Sequence, residues 1–229
     1  MSVAIVTGAS RGLGLALARS LAERGWNLVI DARGEDALQE AAAELSVRTK
    51  VVALAGDVAD EEHRAALVEA ARGLGGLDLL VNNASLLGPS PQPRLEEYPL
   101  DVLEAVYRVN VVAPLRLVQV ALPLLRSSGG RVVNITSDAG VEPYEGWGGY
   151  GSSKAALEQI SNVLAVEHPD VRVYWVDPGD MNTQMQQEAF PGEDVSDRPP
   201  PEESVPGLLA LVEGDRPSGR YQARELGQR

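Results

Sequence analysis

The chain has 229 residues, of which 44% are hydrophobic and 23% are charged, and it contains no cysteine. Disulfides and cysteine-ligated metal sites are therefore excluded, and with only two histidines a histidine-rich metal site is not expected. The net charge of −13 disfavours nucleic acid and anionic membranes as partners, and short apolar runs without a basic N-terminal region predict a cytoplasmic protein.

Short apolar runs alternate with longer segments in which apolar residues repeat at helical spacing, as Leu13, Leu17 and Leu21 do. This pattern predicts strands at 3–7, 28–30, 51–54, 77–81, 132–136 and 171–176. It predicts helices at 12–23, 35–45, 60–72, 100–125 and 154–166. The strands are apolar on both faces, which is typical of a parallel sheet covered by helices. We therefore expect an α/β fold: a doubly wound, Rossmann-like parallel sheet in three α/β/α layers, formed by a single domain over 1–229.

Two proline-rich stretches, at 86–99 and 184–204, interrupt this alternation. The second stretch is also rich in acidic residues and glutamine, which predicts a mobile segment and not part of the core. Each stretch follows a predicted strand, and ligands of doubly wound folds bind beyond the carboxyl ends of the strands. We therefore expect both stretches to border a site and 184–204 to act as a lid.

Residues 7–14, with the sequence TGASRGLG, follow the first strand and open the first helix. Glycines in this context permit a tight turn and a close approach of the backbone to a pyrophosphate at the helix N-terminus. The predicted dinucleotide-binding residues of this loop are Gly8, Ser10, Arg11, Gly12, Leu13 and Gly14.

The same loop contains Gly8-x-Ser10-x-Gly12, which is the nucleophile-elbow pattern of serine hydrolases. That alternative needs a histidine late in the chain, and the only one is His168, which lies at the end of a predicted helix and not at the end of a strand. Both interpretations of the loop remain open at this point.

Tyr150 and Lys154 are four residues apart, which places them on one face of a helix. An ammonium about 4–5 Å from a phenol favours the phenolate, so the pair predicts a tyrosine with a lowered pKa that exchanges a proton with an alcohol.

Ser137 follows a predicted strand, where its hydroxyl could hold a substrate oxygen. Pro114 removes the N–H that would bond the carbonyl of Asn110, which leaves that carbonyl free to bind a water. Each feature also has a simpler explanation when taken singly. The Tyr150–Lys154 spacing could arise by chance, Ser137 could merely start a turn, and Pro114 could merely kink a helix.

Together the motifs resemble, in order and spacing, those of the one-domain short-chain dehydrogenases/reductases, and they span residues 7–183. The matching residues are Thr7-Gly8-x-x-x-Gly12-x-Gly14, Asp57-Val58, Asn82-Asn83-Ala84, Asn110, Ser137, Tyr150-x-x-x-Lys154 and Pro178-Gly179. The sequence departs from the family pattern at Ser85, where a glycine is usual, and in a tail that keeps only a short version of the glycine-rich ending.

The resemblance implies that Tyr150 is the acid/base and that Lys154 holds the nicotinamide ribose and lowers the pKa of Tyr150. It implies that Ser137 orients the substrate carbonyl and that Asn110 holds a water of a proton relay through its main chain. The implied cofactor contacts are Asp57 and Val58 at the adenine, Asn83 and Ala84 beside the adenosine ribose, and Pro178, Gly179 and Thr183 around the nicotinamide.

The end of the second strand, Asp31-Ala32-Arg33, contains both residue types that select a cofactor. NAD sites place a carboxylate at the ribose 2′-hydroxyl, whereas NADP sites place an arginine at the 2′-phosphate. In the resemblance the discriminating position falls on the uncharged Ala32, so we predict that Arg33 and Arg11 bind the 2′-phosphate of NADP. NAD remains the alternative, because a shift of one residue would turn Asp31 towards the ribose.

The sequence as a whole predicts an NADP(H)-dependent oxidoreductase that transfers a hydride between the nicotinamide and a carbonyl or secondary alcohol, without a metal. A non-catalytic dinucleotide-binding regulatory protein and a serine hydrolase using Ser10 are the alternatives. Residues expected near the substrate favour a medium-sized, partly apolar ketone or diketone, since they mix apolar side chains with carboxylates: Tyr144, Trp147, Met181, Met185, Phe190, Asp138, Glu142, Glu145 and Asp180.

The helices at 100–125 and 154–166 have apolar residues on more than one face, which predicts that they pair across a two-fold axis in a homodimer or homotetramer. The residues that suggest this pairing are Val106, Val109, Leu117 and Val120.

Overall fold

A computed structural model describes residues 1–227 of the chain, and the last two residues of the predicted 1–229 domain lie outside the described residues. Seven parallel strands form one sheet in the order β3-β2-β1-β4-β5-β6-β7. The strands are β1 (Val3–Val6), β2 (Asn27–Ala32), β3 (Val51–Ala55), β4 (Leu79–Asn82), β5 (Arg131–Ile135), β6 (Arg172–Asp177) and β7 (Gly219–Gln222). The helices are α1 (Gly12–Glu23), α2 (Glu35–Ser46), α3 (Glu61–Leu74), α4 (Leu100–Tyr107), α5 (Ala113–Ser128), α6 (Gly148–Glu167), α7 (Gln184–Ala189), α8 (Val205–Glu213) and α9 (Ala223–Leu226).

Alternate residues of each strand feed two separate cores, because successive side chains point to opposite faces of a sheet. On β1, Ala4 and Val6 pack with α1, α2 and α8 on one face. Val3 and Ile5 pack with α3, α5 and α6 on the other face. The predicted three-layer, doubly wound parallel fold is confirmed.

The C-terminal part contains elements that hydrophobic periodicity did not predict. β7 is short and polar, yet it extends the sheet by pairing with β6. α8 buries Leu208 and Leu211 in the core beside α1. β7 thus completes the edge of the sheet beside β6, and α8 completes the helical layer beside α1.

Helix α6 begins at Gly148, not at residue 154 as predicted. Its first turns are glycine-rich and lack an apolar period, but they pack too closely for side chains. A Cβ on Gly149 would lie 2.2 Å from the Tyr98 ring, and one on Gly151 would lie 2.4 Å from the Ala139 carbonyl oxygen. Tertiary packing therefore decides where this helix starts, and it places Tyr150 in the first turn.

The helix widens near Pro114, where the sequence suggested a free Asn110 carbonyl, with a simple kink as the alternative. α4 and α5 form one continuous helix, joined by a π-helical turn at Arg108–Val112 in which the Ala113 N–H donates to the Arg108 carbonyl. Pro114 has no N–H to give to the preceding turn, which is a common cause of such widening. Asn110 lies inside this turn and is buried.

By length and composition alone, this helix could cross a membrane: Leu100–Ser128 has 29 residues and contains an 18-residue window with a mean hydropathy of 1.4. In the fold, the apolar face of α5 packs on the sheet through Leu117, Val118, Ala121 and Leu125.

Two residues that suggested helix pairing between copies are placed differently from the prediction. Val106 and Leu117 are 0% and 1% exposed, so they belong to the core of the chain and cannot face a second copy. The large apolar residues that these helices do expose are Leu100, Val112, Val163 and Val166.

The predicted lid, 184–204, is partly ordered by its own contacts. It begins with α7, and its buried Val195 and Ser204 anchor it to the body of the protein. The Ser204 hydroxyl donates to the Pro178 carbonyl at 2.7 Å. The expectation that this segment is too polar to pack is therefore wrong at these anchors, whereas α7 itself buries no residue.

Candidate functional site

The glycine loop between β1 and α1 has the backbone that its sequence requires. Gly8 and Gly12 have φ values of 65° and 55°, a region that L side chains rarely adopt. A Cβ on Gly14 would lie 2.5 Å from the Gly8 carbonyl oxygen, so the third glycine allows the loop to fold onto the helix. No side chain caps the N-terminus of α1, and its first turn contains no acidic residue. The helix N-terminus therefore presents N–H groups to an anion.

Asp31, at the end of β2, holds this loop in place. Its buried carboxylate accepts from the Gly8 N–H at 2.8 Å and lies 3.0 Å from Nε2 of His63. A Cβ at Gly56 would lie 2.3 Å from His63 Nδ1, so Gly56 leaves the space that the ring occupies. Sequence reasoning missed His63, which contacts Asp31 from α3, far along the chain.

Asn83 and Thr7 fasten the loop from the β4 side. The Asn83 amide donates to the carbonyls of Thr7 and Gly8 at 2.8 and 3.1 Å. The Thr7 hydroxyl accepts from the N–H groups of Asn83 and Ala84 at 2.9 and 3.0 Å. Asn83 thus reaches the predicted cofactor region and holds the loop there with its side chain.

The other predicted contacts of the cofactor's adenosine end surround this loop. Asp57 caps the turn after β3 by accepting from the Ala59 N–H at 2.8 Å, and Val58 is buried. Arg33 is exposed at the bend after β2. Arg11 is also exposed, but its guanidinium bonds the side-chain oxygen of Gln184 on α7.

Ser137 follows the carboxyl end of β5, and Lys154 binds the last residue of that strand. Lys154 is 2% exposed, its Nζ donates to the Ile135 carbonyl at 2.9 Å, and it lies 5.3 Å from the centre of the Tyr150 ring. The Ser137 hydroxyl donates to the Asp138 carboxylate at 2.9 Å and accepts from the Ala139 N–H at 3.2 Å. Tyr150 and Lys154 therefore lie together, and the contact of Lys154 with Ile135 places them near the strand end that Ser137 follows.

The expectation that the pKa of Tyr150 is lowered is wrong. Burial raises the pKa of the Tyr150 phenol above its ordinary value, and the neighbouring Asp138 and Asp177 carboxylates add to that rise. Burial also lowers the pKa of Lys154 to about 8, so the ammonium near the phenol is itself destabilised. The spacing of the two residues indicates an attraction between their charged forms, but the loss of water around the buried groups has the larger effect on both pKa values.

Asn110 connects the π-turn to the reactive residues. Its amide donates to the Leu86 carbonyl at 2.9 Å and to the Ser153 hydroxyl at 3.0 Å, and Ser153 in turn donates to the Tyr150 carbonyl at 2.6 Å. Its side-chain oxygen accepts from the Leu86 N–H at 2.8 Å. Asn110 therefore fixes the 86–99 stretch against the helix that contains Tyr150.

A buried polar ladder behind the site was also missed. Asn82 donates to Asn134 at 2.8 Å, and Asn134 donates to Ser161 at 2.7 Å, which ties β4 and β5 to α6. All three residues are buried. Asparagine within otherwise apolar strands was the signal available in the sequence, because a buried amide needs hydrogen-bond partners.

Three aromatic side chains, Tyr144, Trp147 and Phe190, form an aromatic wall beside Tyr150. The Trp147 ring centre lies 5.9 Å from that of Tyr150, 5.8 Å from that of Phe190 and 6.4 Å from that of Tyr144. The residue stretches predicted to border the substrate therefore come together at the phenol.

The predicted nicotinamide residues follow β6. Pro178 is buried, Gly179 has a φ of 76°, and Thr183 caps α7 by accepting from the Gln186 N–H at 3.3 Å. A Cβ on Gly12 would lie 3.6 Å from the Thr183 methyl group, so the start of the predicted lid reaches the glycine loop.

Residues 2–194 match the sequence pattern of the family described as short chain dehydrogenase. The chain belongs to the short-chain dehydrogenase/reductase family. It is 38% identical over 195 residues to benzil reductase ((S)-benzoin forming) of Saccharomyces cerevisiae, a match that covers 81% of this chain and 74% of the relative. It is 37% identical over 200 residues to sepiapterin reductase of Mus musculus, which covers 81% of this chain and 77% of the relative.

Among solved structures, the chain is similar to an alcohol dehydrogenase from the archaeon Thermococcus sibiricus complexed with 5-hydroxy-NADP. The TM-score is 0.88 at 31% identity, and the match covers 100% of this chain and 98% of the other. The chain is thus an enzyme of the short-chain dehydrogenase/reductase family, whose members bind NAD(P) and act on small molecules.

The glycine loop fits such a dinucleotide. Its positive-φ glycines, the close approach at Gly14 and the uncapped helix N-terminus form a cradle for a pyrophosphate.

We predict that Gly14→Ala lowers the thermal stability of the protein, because the new Cβ would meet the Gly8 carbonyl oxygen and the Asn83 amide nitrogen at 2.5 and 2.6 Å. Overpacking against backbone costs about 1–3 kcal/mol, which lowers the Tm by several degrees. Gly73→Ala, in α3 with no heavy atom within 4 Å of its Cβ, is the matched control and should leave the Tm unchanged or raise it. Equal Tm values for the two variants would contradict the close approach at Gly14.

Proposed function

We propose that this enzyme is a cytoplasmic, NADPH-dependent reductase that converts a partly apolar ketone or diketone into a secondary alcohol. The observation that carries the proposal is the convergence of Tyr150, Lys154, Ser137 and Asn110 beyond the same strand ends as the glycine loop. Relatives named as reductases support the same class of reaction. The absence of cysteine is in keeping with a reducing compartment.

The glycine loop would hold the cofactor's pyrophosphate on the N-terminus of α1. Val58 and Ala84 would line the adenosine end, and Pro178, Gly179 and Thr183 would flank the nicotinamide end. When bound, the cofactor supplies the hydride. The protein supplies orientation and the proton.

Tyr150 is the proton donor in this proposal. Its buried phenol has a raised pKa, so it is protonated at neutral pH and can give its proton to the substrate oxygen. The Ser137 hydroxyl would orient that oxygen, since Ser137 follows the end of β5, to which Lys154 binds beside the phenol. Lys154, with a pKa of about 8, remains mostly protonated at neutral pH and stabilises the phenolate that forms.

The contacts of Asp31 support NADPH over NADH. Its carboxylate already binds the Gly8 N–H and His63, which leaves it turned towards the loop. The exposed Arg33 is the nearby cation that can bind a 2′-phosphate. Arg11 would have to leave Gln184 to join it.

The aromatic wall supports an aromatic or otherwise apolar substrate. The Trp147 ring packs against the Tyr150 ring on one side and the Phe190 ring on the other. The carboxylates of Asp138 and Asp180 nearby disfavour an anionic substrate. Since one relative is a benzil reductase, benzil is the first substrate to test.

The alternative functions have less support. In a serine hydrolase, Ser10 would need a histidine beside it. Within residues 1–227 neither histidine hydrogen-bonds Ser10, since the Nδ1 side of His63 packs against Gly56 and His168 binds Arg126. A regulatory protein without turnover would have no need for the complete set of Ser137, Tyr150 and Lys154.

The proposed function is tested by following oxidation of NADPH with benzil and a panel of smaller ketones. We expect turnover with benzil. Because Ser10 would bind the cofactor and not act as a nucleophile, Ser10→Ala should weaken NADPH binding but keep kcat at saturating NADPH within a few fold. Hydrolysis of an aryl ester that Ser10→Ala abolishes, with no NADPH oxidation by any ketone, would overturn the proposal in favour of a hydrolase. NADPH binding without turnover of any ketone would favour the regulatory protein.

We infer that 184–204 closes over bound ligand. α7 is exposed and is joined to the glycine loop through Arg11, while the end of the segment is anchored at Ser204. A glutamate-specific protease should therefore cut at Glu188 and Glu193 more slowly when NADPH and a ketone are present. Equal rates of cleavage with and without ligand would contradict a lid.

We infer a homodimer or homotetramer built on α5 and α6. The support is the exposed Val112, Val163 and Val166, of which Val166 is 79% exposed. Sedimentation should give a mass of at least twice the 24.3 kDa of one chain at micromolar concentration. A single-chain mass under those conditions would refute the assembly.

A further inference from the structure

The C-terminal tail, where the sequence departs from the family pattern, brings a cation to the region behind Ser137. Arg220 lies on β7, which pairs with β6 at the edge of the sheet. Its Nε donates to both carboxylate oxygens of Glu158, at 3.0 and 3.2 Å. Glu158 lies one helical turn after Lys154 on α6. Arg220 therefore ties β7 to the helix that contains the proposed proton donor and its lysine.

The same guanidinium also faces Ser137 and Asp177. Nη2 of Arg220 lies 3.5 Å from the Ser137 carbonyl oxygen and 3.8 Å from the Asp177 carboxylate. Asp177 is the last residue of β6, and its carboxylate accepts from the Gly179 N–H at 2.9 Å. The guanidinium thus lies between the residue predicted to orient the substrate and the turn predicted to flank the nicotinamide.

The fold removes most of the water around two carboxylates here. The side chains of Asp177 and Glu158 are 7% and 12% exposed, and a buried carboxylate needs a cation or hydrogen-bond donors. Within residues 1–227, Arg220 is the only cation in an ion pair with either carboxylate. Burial raises the pKa of Asp177, and the hydrogen bond from Gly179 opposes this rise. Among the charged neighbours of Asp177, Asp138 and Glu158 raise its pKa and Arg220 lowers it.

We propose that Arg220 is a positioning residue that fastens Ser137 and the Pro178–Gly179 turn to α6 and balances negative charge beside the nicotinamide. Loss of the guanidinium would free the Ser137 carbonyl and leave two carboxylates without their shared cation. The inference rests on the proposed function, because it uses the proposed place of the nicotinamide at this turn.

The first test measures nucleotide binding and needs no turnover. The nicotinamide ring of NADP carries a positive charge that NADPH lacks, so added negative charge beside it favours NADP. At mildly alkaline pH, where the carboxylates are ionised, Arg220→Gln should lower the ratio of the NADP dissociation constant to that of NADPH by about threefold to tenfold. Glu158→Gln removes a negative charge, so it should raise the same ratio by about threefold to tenfold. Its amide keeps an oxygen that can accept from the Thr136 hydroxyl, which donates to Glu158 at 2.8 Å.

A double variant and a matched control separate charge from a general loss of structure. Arg220→Gln with Glu158→Gln has the wild-type net charge, so it should return the ratio to within about twofold of wild type. Arg24→Gln breaks another arginine–glutamate pair, with Glu213 at 2.6 Å, where both side chains are exposed, and it should leave the ratio unchanged. Thermal unfolding checks that each variant is folded. If Arg220→Gln does not fold, the opposite shift expected for Glu158→Gln still tests the proposal.

The kinetic test measures the positioning of Ser137. Arg220→Gln should lower kcat for ketone reduction by about tenfold, because a small displacement of the orienting hydroxyl slows the reaction. The double variant restores the charge balance but not the guanidinium, so its kcat should stay equally low while its nucleotide ratio recovers. A kcat within about twofold of wild type in both variants would contradict the positioning of Ser137 by Arg220.

The outcomes distinguish this inference from the proposed function. If nucleotides bind with the same ratio in wild type, Arg220→Gln and Glu158→Gln, the proposal for Arg220 is overturned and the proposed function stands. If the ratio shifts as expected but no ketone is reduced, Arg220 keeps its place beside the nicotinamide and the proposed function fails. If the wild-type protein binds neither nucleotide, both are overturned.

Discussion

Tyr150→Phe is expected to lower kcat for ketone reduction by about 10²- to 10⁴-fold while NADPH still binds. Phenylalanine keeps the ring that packs 5.9 Å from Trp147, and it removes only the hydroxyl that gives the proton. Because the buried phenol is protonated at neutral pH, its loss leaves no other donor beside Lys154. The measurement is kcat under saturating substrate together with the NADPH dissociation constant from nucleotide fluorescence.

Tyr107→Phe is the matched control, since Tyr107 ends α4 and has no part in the site. It should keep kcat within about twofold. The role of Tyr150 is wrong if Tyr150→Phe retains more than about a tenth of wild-type kcat, which is a loss of less than ~1.4 kcal/mol in transition-state stabilisation.

Arg33→Ala is expected to weaken NADPH by about tenfold to a hundredfold and to leave NADH almost unchanged. A guanidinium hydrogen-bonded to a phosphate contributes about 1.5–3 kcal/mol to the binding free energy. NADH has no 2′-phosphate, so its binding does not depend on this contact. Asp31 would not replace it, because its carboxylate is buried and bound to Gly8 and His63. The measurement is kcat/KM for both cofactors in wild type and variant.

Arg48→Ala tests whether loss of any positive charge has the same effect. Arg48 is exposed just after α2 and its guanidinium lies 4.0 Å from Glu23, well away from the end of β2. It should change neither cofactor's kcat/KM by more than about twofold. A wild-type preference for NADH of tenfold or more would contradict the proposed preference for NADPH. An Arg33→Ala variant with unchanged NADPH affinity would contradict the role of Arg33.

The features that sequence predicts well here are local. The first strand, glycine loop and first helix are adjacent in the chain, and their apolar spacing and glycines specify them directly. The pair Tyr150 and Lys154 follows from helical spacing in the same way. The order and parallel direction of the strands then bring their carboxyl ends, and the residues after them, to one edge of the sheet.

The features that sequence could not supply depend on contacts between distant segments. His63 meets Asp31 only because α3 packs beside the end of β2. The early start of α6 depends on Tyr98 filling the space beside Gly149. The Tyr150 pKa moves in the direction opposite to the one expected, because burial is a property of the folded chain and the Tyr–Lys spacing does not encode it. For the same reason Ser85 could be noted as a departure, but its contact with Asn110 could not.

Transfer of deuterium from the cofactor to the product tests the central claim most directly. NADPH carrying deuterium at both C4 positions of the nicotinamide is incubated with the wild-type enzyme and benzil, and the product is analysed by mass spectrometry and NMR. The account predicts an alcohol with deuterium on the former carbonyl carbon and an exchangeable proton on its oxygen, since the hydride comes from the cofactor and the proton from Tyr150. An alcohol without deuterium on that carbon, or no alcohol from benzil or any ketone of the panel, would contradict it.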